Sequence, residues 1–280
     1  MHQQHFVFDR ITYAIAQIAV ALVLAFCLPT PIEAQSQTPP LAGIAHVAIR
    51  VHDLTTAREF YAKLGFQEAF NLAKDGVVYE SFIKINDHQF IELYPTTAKD
   101  SKIGFLHLCF EGDDLNAIHD DYVSRSLAPT AVRKAGAGNL LFTMVGPEQQ
   151  NIEYTQYMPG SLHFNDRGKH LGEDRVADRL VSVSLAMEDT RAAQDFYINK
   201  LVFKPIGGAS MFLSMPGDSG QKVEIASASL GARARIVLDT NGFSEAGHFL
   251  EKQGVAATKV KDGLTVTDPD GNILIIEARR

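Results

Sequence analysis

The sequence predicts an α+β fold in which one strand–helix–strand unit is repeated along the chain. Residues 51–61 recur as residues 187–197, and each copy carries an aspartate, Asp53 or Asp189, of the kind that caps a helix N-terminus. A strand of alternating polarity precedes each predicted helix, and several short strand-like runs follow it. We therefore expect two related halves, each with helices covering one face of a sheet.

The N-terminal segment, residues 1–34, is predicted to be a secretory signal peptide. Arg10 precedes an uncharged apolar stretch, residues 11–28, and the small residue Ala34 offers a cleavage site. The alternative is an uncleaved anchor, because a stretch of about 18 apolar residues can just span a bilayer. Cleavage near Ala34 would leave a periplasmic or secreted protein with no part in the membrane.

The rest of the chain divides into an N-terminal domain, a linker and a C-terminal domain, with predicted bounds of 35–158, 159–178 and 179–280. The linker is polar and contains glycine. The sequence assigns no role to its two histidines, His163 and His170.

Composition and charge narrow the classes of function. The chain of 280 residues has 26 basic and 33 acidic side chains, which gives a net charge of −7. Nucleic acid is not an expected partner, because phosphate contacts need a basic face. Once Cys27 leaves with the signal, Cys109 cannot form an internal disulfide and is interpreted as a small buried apolar residue.

The first repeated unit shows the alternating pattern of a strand followed by the apolar stripe of a helix. Residues 44–51 alternate, so that His46 and Arg50 are expected on one face of a strand and four apolar residues on the other: Ala45, Val47, Ile49 and Val51. The following helix is predicted from an apolar stripe that ends at Gly65: Leu54, Ala57, Phe60, Tyr61 and Leu64. Three later runs alternate in the same way and are predicted as strands: residues 89–94, 105–110 and 152–157.

Two histidines and two glutamates recur at one spacing. His46 and Glu92 are 46 residues apart, as are His107 and Glu153, so both residue types repeat at an offset of 61. If the two units pack about a pseudo-twofold axis, the four side chains converge on one point. Imidazole and carboxylate ligands suit one divalent metal ion such as zinc, nickel, manganese or iron. The alternative is four polar residues scattered on a solvated sheet face.

Four segments carry a resemblance to a known family: residues 43–51, 60–66, 90–93, and 268–272 followed by Glu277. They resemble the vicinal oxygen chelate (VOC) superfamily of glyoxalase/bleomycin resistance/dioxygenase-like proteins. This superfamily includes glyoxalase I, methylmalonyl-CoA epimerase, extradiol dioxygenases and fosfomycin-resistance proteins. The resemblance implies four βαβββ modules, two in each domain.

The resemblance also implies a ligand set and a reaction. The first strand of a module contributes a histidine and its last strand a glutamate, which gives His46, Glu92, His107 and Glu153, the set of the glyoxalase I branch. The implied activity is a metal-dependent lyase or isomerase acting α to a carbonyl on a small oxygenated substrate. Glu153 is the expected proton-transfer base and Glu92 the alternate. The strand faces that carry these four ligands are called the ligand face. Three further residues on it are expected to orient the substrate: Arg50, Tyr94 and Tyr157.

Two other functions stay open. An extradiol-type ring-cleaving dioxygenase would use His46, His107 and Glu153, with Glu92 as a bystander. A non-catalytic binding or resistance module would bind a small molecule without turnover. The glutathione hemithioacetal of glyoxalase I is mostly cytosolic, so an exported chain is expected to have another small-molecule substrate. A homodimer is compatible with each interpretation.

The C-terminal domain is predicted to hold no metal. Aligning Asp189 with Asp53 places Ser182 at the position of His46, and the next module offers Arg235 in place of a histidine. Glu224 and Glu277 are the expected counterparts of the two glutamates. Because a guanidinium cannot ligate a metal, Arg235 is expected to pair with Glu224 or Glu277.

Overall fold

Two curled eight-stranded sheets of the same topology form the frame of the protein. The computed structural model describes residues 38–207, 211–228 and 233–279, and the predicted signal peptide lies outside them. The α+β class is confirmed. Within the described ranges, no helix combines the length and the apolar character needed to cross a membrane.

The first sheet is built from residues 43–156. Its strands are β1 Gly43–Val51, β2 Gln67–Lys74, β3 Val77–Lys84, β4 Phe90–Pro95, β5 Gly104–Glu111, β6 Arg133–Lys134, β7 Leu140–Val145 and β8 Asn151–Gln156. Helix α1 Leu54–Lys63 follows β1, and α2 Leu115–Ser124 follows β5. A short 3₁₀ helix, Pro147–Gln149, precedes β8.

A four-residue helix, α3 Leu162–Asn165, lies in the segment between the sheets. The strands of the second sheet are β9 Arg179–Met187, β10 Lys204–Ile206, β11 Met211–Ser214, β12 Lys222–Ser227, β13 Arg235–Thr240, β14 Ala257–Val260, β15 Gly263–Thr267 and β16 Ile273–Ala278. Helix α4 Thr190–Asp195 runs into a π-helical turn, Phe196–Lys200, and α5 Phe243–Lys252 follows β13.

The strand order makes each sheet a pair of related modules. The first sheet has the order β2-β3-β4-β1-β5-β8-β7-β6, and the second repeats it as β10-β11-β12-β9-β13-β16-β15-β14. In the first sheet, β1 and β5 are antiparallel neighbours at the centre, and each has the last strand of its own module parallel to it on the outer side. This arrangement relates the two modules by a pseudo-twofold axis between β1 and β5.

Helix α1 begins and ends as the sequence predicts. The Asp53 carboxylate accepts a hydrogen bond from the backbone N–H of Thr56 at 2.6 Å, which caps the first turn. Gly65 follows the last turn with a φ of +82°, in the left-handed region that glycine adopts without strain. A Cβ at Gly65 would also lie 2.6 Å from the Arg175 Cα, so a glycine is needed where the connecting segment crosses the helix end.

The alternation predicted for β1 breaks at Ala45. A register shift separates the pair Ile44–Phe110 from the pair His46–Cys109, so β1 has a bulge between them. Ile44 therefore packs in the main core with Val47, whereas Ala45 packs in the smaller apolar cluster beside the ligand face. The expectation that Ala45 shares a face with Val47 is wrong because the bulge inserts one extra residue into the strand.

A buried lysine fixes the segment between the two sheets. Lys84 lies at the end of β3 with only 1% of its surface exposed. Its ammonium donates to the Asp166 backbone carbonyl at 2.6 Å and to the Asp166 carboxylate at 2.8 Å. It also lies 2.8 Å from an Asp87 carboxylate oxygen. These contacts hold the residues that follow α3 against the edge of the ligand face.

We expect Lys84→Met to destabilise the protein by about 3 kcal/mol, because removing one partner of a buried ion pair leaves the other charge uncompensated. Urea unfolding monitored by circular dichroism measures the effect as a lower midpoint. Lys63→Met, at an exposed position near the end of α1, is the matched control and should change stability by no more than about 0.5 kcal/mol. Equal midpoints for the two variants would contradict the structural role of Lys84.

Candidate metal centre

The register of four strands brings the two histidines and two glutamates together. Ala48 on β1 lies opposite Glu92 on β4 and His107 on β5. Cys109 on β5 lies opposite His46 on β1 and Glu153 on β8. The pseudo-twofold axis exchanges the two sets. The histidine and the glutamate of each module, which are 46 residues apart in the sequence, therefore meet those of the other module in a single cluster.

The ring nitrogens of the two histidines form the centre of this cluster. The His46 Nε2 and His107 Nε2 atoms are 3.2 Å apart, and a Glu153 carboxylate oxygen lies 3.4 Å from the former. Two other carboxylate oxygens, one each from Glu92 and Glu153, lie 3.8 Å from His107 Nε2. The second Glu92 oxygen is 3.1 Å from His46 Nδ1.

Two of these separations match the ligand shell of a first-row metal ion. Ligand atoms about 2.0–2.2 Å from one ion, at angles of about 90–110°, lie roughly 2.8–3.6 Å from each other. The distances from His46 Nε2 to His107 and Glu153 fall in that range. In addition, His46 Nδ1 is buried without a well-aligned hydrogen bond, although Glu92 is near. The donor set therefore fits a divalent cation, and its role as a ligand set stays a prediction.

Burial sets the protonation states of the cluster. It lowers the pKa of His46 to about 3 and that of His107 to about 4, so both imidazoles are neutral at pH 7 and have a lone pair to offer. Burial also raises the pKa of Glu92, and the nearby Glu80 and Glu153 carboxylates raise it further. Three carboxyl groups gathered out of water are costly unless a cation or protons compensate them.

A cavity of about 140 Å³ opens beside the cluster. His46, Glu92 and Glu153 line it, and its two side walls are formed by pairs of residues on the outer strands. Leu72 and Glu80, from β2 and β3, form one wall, and Arg133 and Leu141, from β6 and β7, form the other. Among the described residues that line the cavity, Arg133 alone carries a guanidinium.

Sequence reasoning missed Glu80 and Arg133, although a signal for both was present. The offset of 61 that relates the histidines also relates Leu72 to Arg133 and Glu80 to Leu141. Within its own module, Leu72 is the cross-strand neighbour of Glu80, and Arg133 is that of Leu141. Extending the repeat to the outer strands would have found the two walls.

The three residues expected to orient a substrate lie in different places. Tyr94 lines the cavity, and its hydroxyl lies 2.5 Å from a Glu80 oxygen and 3.1 Å from a Glu92 oxygen. Arg50 and Tyr157 are not among the residues that line it. Arg50 lies 3.9 Å from Asp100, and Tyr157 stacks on the ring of His163 with centroids 4.3 Å apart.

The lone cysteine of the described ranges, Cys109, is buried beside the cluster. Its burial, together with the nearby Glu153 carboxylate, raises the pKa of its thiol well above the usual range. A thiol in this state is not a nucleophile at neutral pH. The interpretation of Cys109 as a small buried residue is confirmed.

The second sheet carries an ion pair at the equivalent position. Arg235 lies opposite Ser184, as His107 lies opposite Ala48, and it donates to a Glu224 oxygen at 2.8 Å and to the Ser184 hydroxyl at 3.0 Å. The predicted pairing of Arg235 with Glu224 is confirmed. A guanidinium at this place supplies positive charge without a lone pair, so it cannot replace a histidine ligand.

The expected equivalence of Glu277 with Glu153 is wrong. Val237, two residues after Arg235, pairs with Ile275, just as Cys109 pairs with Glu153 in the first sheet. Ile275 therefore occupies the position of the second glutamate. Glu277 lies two residues further along β16, because the chain from Pro269 to Glu277 is two residues longer than that from Pro147 to Glu153.

We expect one divalent metal ion per chain, because the second sheet carries Ser182 and Arg235 where the first sheet carries its two histidines, and the Arg235 guanidinium is paired with Glu224. Elemental analysis of the purified protein after dialysis against buffered zinc or manganese gives the stoichiometry. A value near two per chain would contradict the assignment of the second sheet as a site without metal.

Part of the sequence matches a known family model. Residues 45–143 match the family model described as Glyoxalase/Bleomycin resistance protein/Dioxygenase superfamily. This match covers most of the first sheet, including His46, Glu92 and His107. A search of curated proteins finds no match.

Solved structures of low sequence identity share the fold. The Mn(II)-bound glyoxalase from Novosphingobium aromaticivorans is 15% identical, with a TM-score of 0.66, over 85% of this chain and 82% of that one. The 2,3-dioxygenase LapB from Pseudomonas sp. KL28 is 14% identical, with a TM-score of 0.67, over 86% and 93%. Homoprotocatechuate 2,3-dioxygenase from Brevibacterium fuscum, solved with 3,4-dihydroxyphenylacetate, is 15% identical, with a TM-score of 0.62, over 90% and 83%. These structures show that the fold is shared, and the family match over residues 45–143 bears out the resemblance to the VOC superfamily.

Proposed function

We propose that the protein is an exported, metal-dependent lyase or isomerase that moves a proton at the carbon next to a carbonyl group of a small oxygenated substrate. The observation that carries this proposal is the convergence of His46, His107, Glu92 and Glu153 beside a small cavity. These four residues would hold the metal ion, which when bound polarises a carbonyl oxygen and so acidifies the neighbouring C–H bond.

Glu153 is the better placed of the two glutamates to move a proton. Tyr94 donates to a Glu92 oxygen, and the Glu92 side chain is only 4% exposed, which fixes that carboxylate in the wall. The Glu153 side chain is 14% exposed and lines the cavity. Burial raises the pKa of Glu153, which makes it a stronger base than a surface carboxylate.

The cavity sets the size and charge of the substrate. A cavity of about 150 Å³ accommodates a molecule the size of benzene, and this one has about 140 Å³. A compound of a few carbon atoms fits inside, whereas a peptide conjugate such as a glutathione adduct would leave most of its atoms outside. Arg133 on one wall favours a substrate with an anionic or strongly polar oxygen on that side.

An extradiol-type dioxygenase is the alternative, and one observation favours it. His46, Glu92 and His107 offer donor atoms within 4.8 Å of one another, which is a set of two histidines and one carboxylate. Such a set with open positions is typical of non-haem iron oxygenases. The sequence assigns the carboxylate of this set to Glu153, whose oxygens lie 3.4 Å from His46 Nε2 and 3.8 Å from His107 Nε2.

Proton exchange distinguishes the two functions. Protein loaded in turn with zinc, nickel, manganese or iron is incubated in D₂O with hydroxyacetone or glycolaldehyde, and loss of the α-proton signal is followed by NMR, with chelator-treated protein as the control. Metal-dependent exchange supports the proposal. Failure with all four metals, together with oxygen consumption by the iron-loaded protein on catechol, would replace it by the dioxygenase.

Export rests on the predicted signal peptide and has its own test. Expression of the full chain in a Gram-negative host, followed by fractionation and mass spectrometry, should give a periplasmic protein whose first residue is Gln35. An intact N-terminus in the membrane fraction would indicate the anchor instead, and a full-length chain in the cytoplasm would refute export.

A further inference from the structure

One buried histidine near the cluster belongs to the segment between the two sheets. His163 lies on α3 and is 2% exposed. Its ring stacks on Tyr157 with centroids 4.3 Å apart, and Phe70, Phe82 and Phe90 meet it edge-on at 4.9, 5.2 and 5.0 Å. Four aromatic rings therefore fix the plane of this imidazole.

The two nitrogen atoms of His163 have no hydrogen-bond partner within the protein. Both Nδ1 and Nε2 are buried and unpaired. Burial lowers the pKa of His163 to about 3, so the ring is neutral and offers one N–H donor and one lone pair. Buried polar atoms in folded proteins nearly always find a partner, so an unpaired imidazole points to a water molecule or a ligand.

The cavity beside the metal cluster is where that partner would lie. His163 lines the same cavity as His46, Glu92 and Glu153. His46, Glu92 and Glu153 lie on strands of the first sheet, whereas His163 lies in the segment that connects the two sheets.

The protein also holds this histidine firmly in place. The Ser161 hydroxyl accepts from the Phe164 backbone N–H at 3.2 Å and caps α3. Lys84, itself buried, donates to the carbonyl and carboxylate of Asp166, just after the helix. A side chain with two unpaired nitrogens is thus anchored from both ends of its helix, as expected of a group that must meet a ligand in a fixed orientation.

We propose that His163 is a substrate-contacting residue, whose imidazole makes a hydrogen bond with an oxygen atom of the small molecule bound in the cavity. This inference rests on the proposed function and adds to it a contact from outside the four-residue cluster. His163 would orient the substrate, while the two glutamates remain the groups that move protons.

The test compares His163→Phe with wild type, using acetohydroxamate as a probe. This anion is small enough for the cavity and carries two oxygens that chelate a metal ion. Calorimetric titration of the manganese-loaded protein should show at least 10-fold weaker binding to His163→Phe. Its manganese content should be unchanged, and its thermal midpoint equal or higher, because the variant keeps the ring and removes two unpaired nitrogens. His119→Phe is the matched control, since His119 meets Phe142 edge-on outside the cavity, and it should bind the probe like wild type.

The outcomes separate this inference from the function on which it rests. Equal probe affinity of wild type and His163→Phe, or no probe binding by a manganese-replete wild type, overturns the inference alone. A wild-type protein that binds no divalent metal overturns the proposed function, and the inference falls with it. If His163→Phe does not fold, a crystal structure of the wild-type complex decides: a probe oxygen within about 3.2 Å of a His163 nitrogen supports the inference, and a distance above about 4 Å overturns it.

Discussion

Replacing His107 with alanine should abolish stoichiometric metal binding while leaving the fold in place. His107 Nε2 lies 3.2 Å from His46 Nε2 and 3.8 Å from oxygens of both glutamates, so it adjoins each of the other three donors. Losing a residue that only supports a ligand costs about 10- to 100-fold in metal affinity, and losing a ligand should cost at least 100-fold. Competition with a chelator of known affinity, followed by elemental analysis, measures the loss.

His88→Ala is the matched control for this variant. His88 is a half-exposed histidine that lies 3.0 Å from a Glu111 oxygen, away from the residues that line the metal cavity. It should keep full metal affinity. Full metal content in His107→Ala as well would show that the cluster is not the metal site. Loss in both variants, with altered circular dichroism, would indicate damage to the fold instead.

Glu153→Gln should lower turnover by about 10²- to 10⁴-fold, the usual contribution of general acid–base catalysis. The amide keeps the shape and one oxygen atom but cannot accept a proton, so probe binding should weaken by less than about 10-fold. Metal-dependent α-proton exchange gives the turnover, and titration with acetohydroxamate gives the binding.

The second sheet provides the control for the glutamate. Glu224→Gln makes the same chemical change at the position equivalent to Glu92, where the carboxylate pairs with Arg235. This variant should exchange protons at the wild-type rate. If Glu153→Gln loses binding and turnover in equal measure, Glu153 is a structural ligand and the base must be another group.

The repeat made the centre of the cluster predictable from the sequence. His46, Glu92, His107 and Glu153 obey one spacing because both modules keep the same lengths of chain between first and last strand. The register then follows from the topology: a parallel pair within each module and an antiparallel pair between them. No distance had to be known to bring the four side chains together.

The errors arose where one residue more or less changes the register. The bulge at Ala45 cannot be detected from the alternating apolar pattern, because alanine fits either face of a strand. Ser182 and Arg235 are 53 residues apart, as are Glu224 and Glu277, and this equal spacing placed Glu277 at a ligand position that Ile275 occupies. His163 could not be assigned, since its segment has no counterpart in the repeat and its position depends on tertiary contacts such as that of Lys84.

The unlike walls of the cavity have a stereochemical consequence. Leu72 and Glu80 form one wall, and the pseudo-twofold axis relates them to Arg133 and Leu141 on the opposite wall. A planar, prochiral carbon held between them would present one face to a carboxyl group and the opposite face to a guanidinium. This cavity distinguishes them, so a proton should be added to a single face and the product should be one enantiomer.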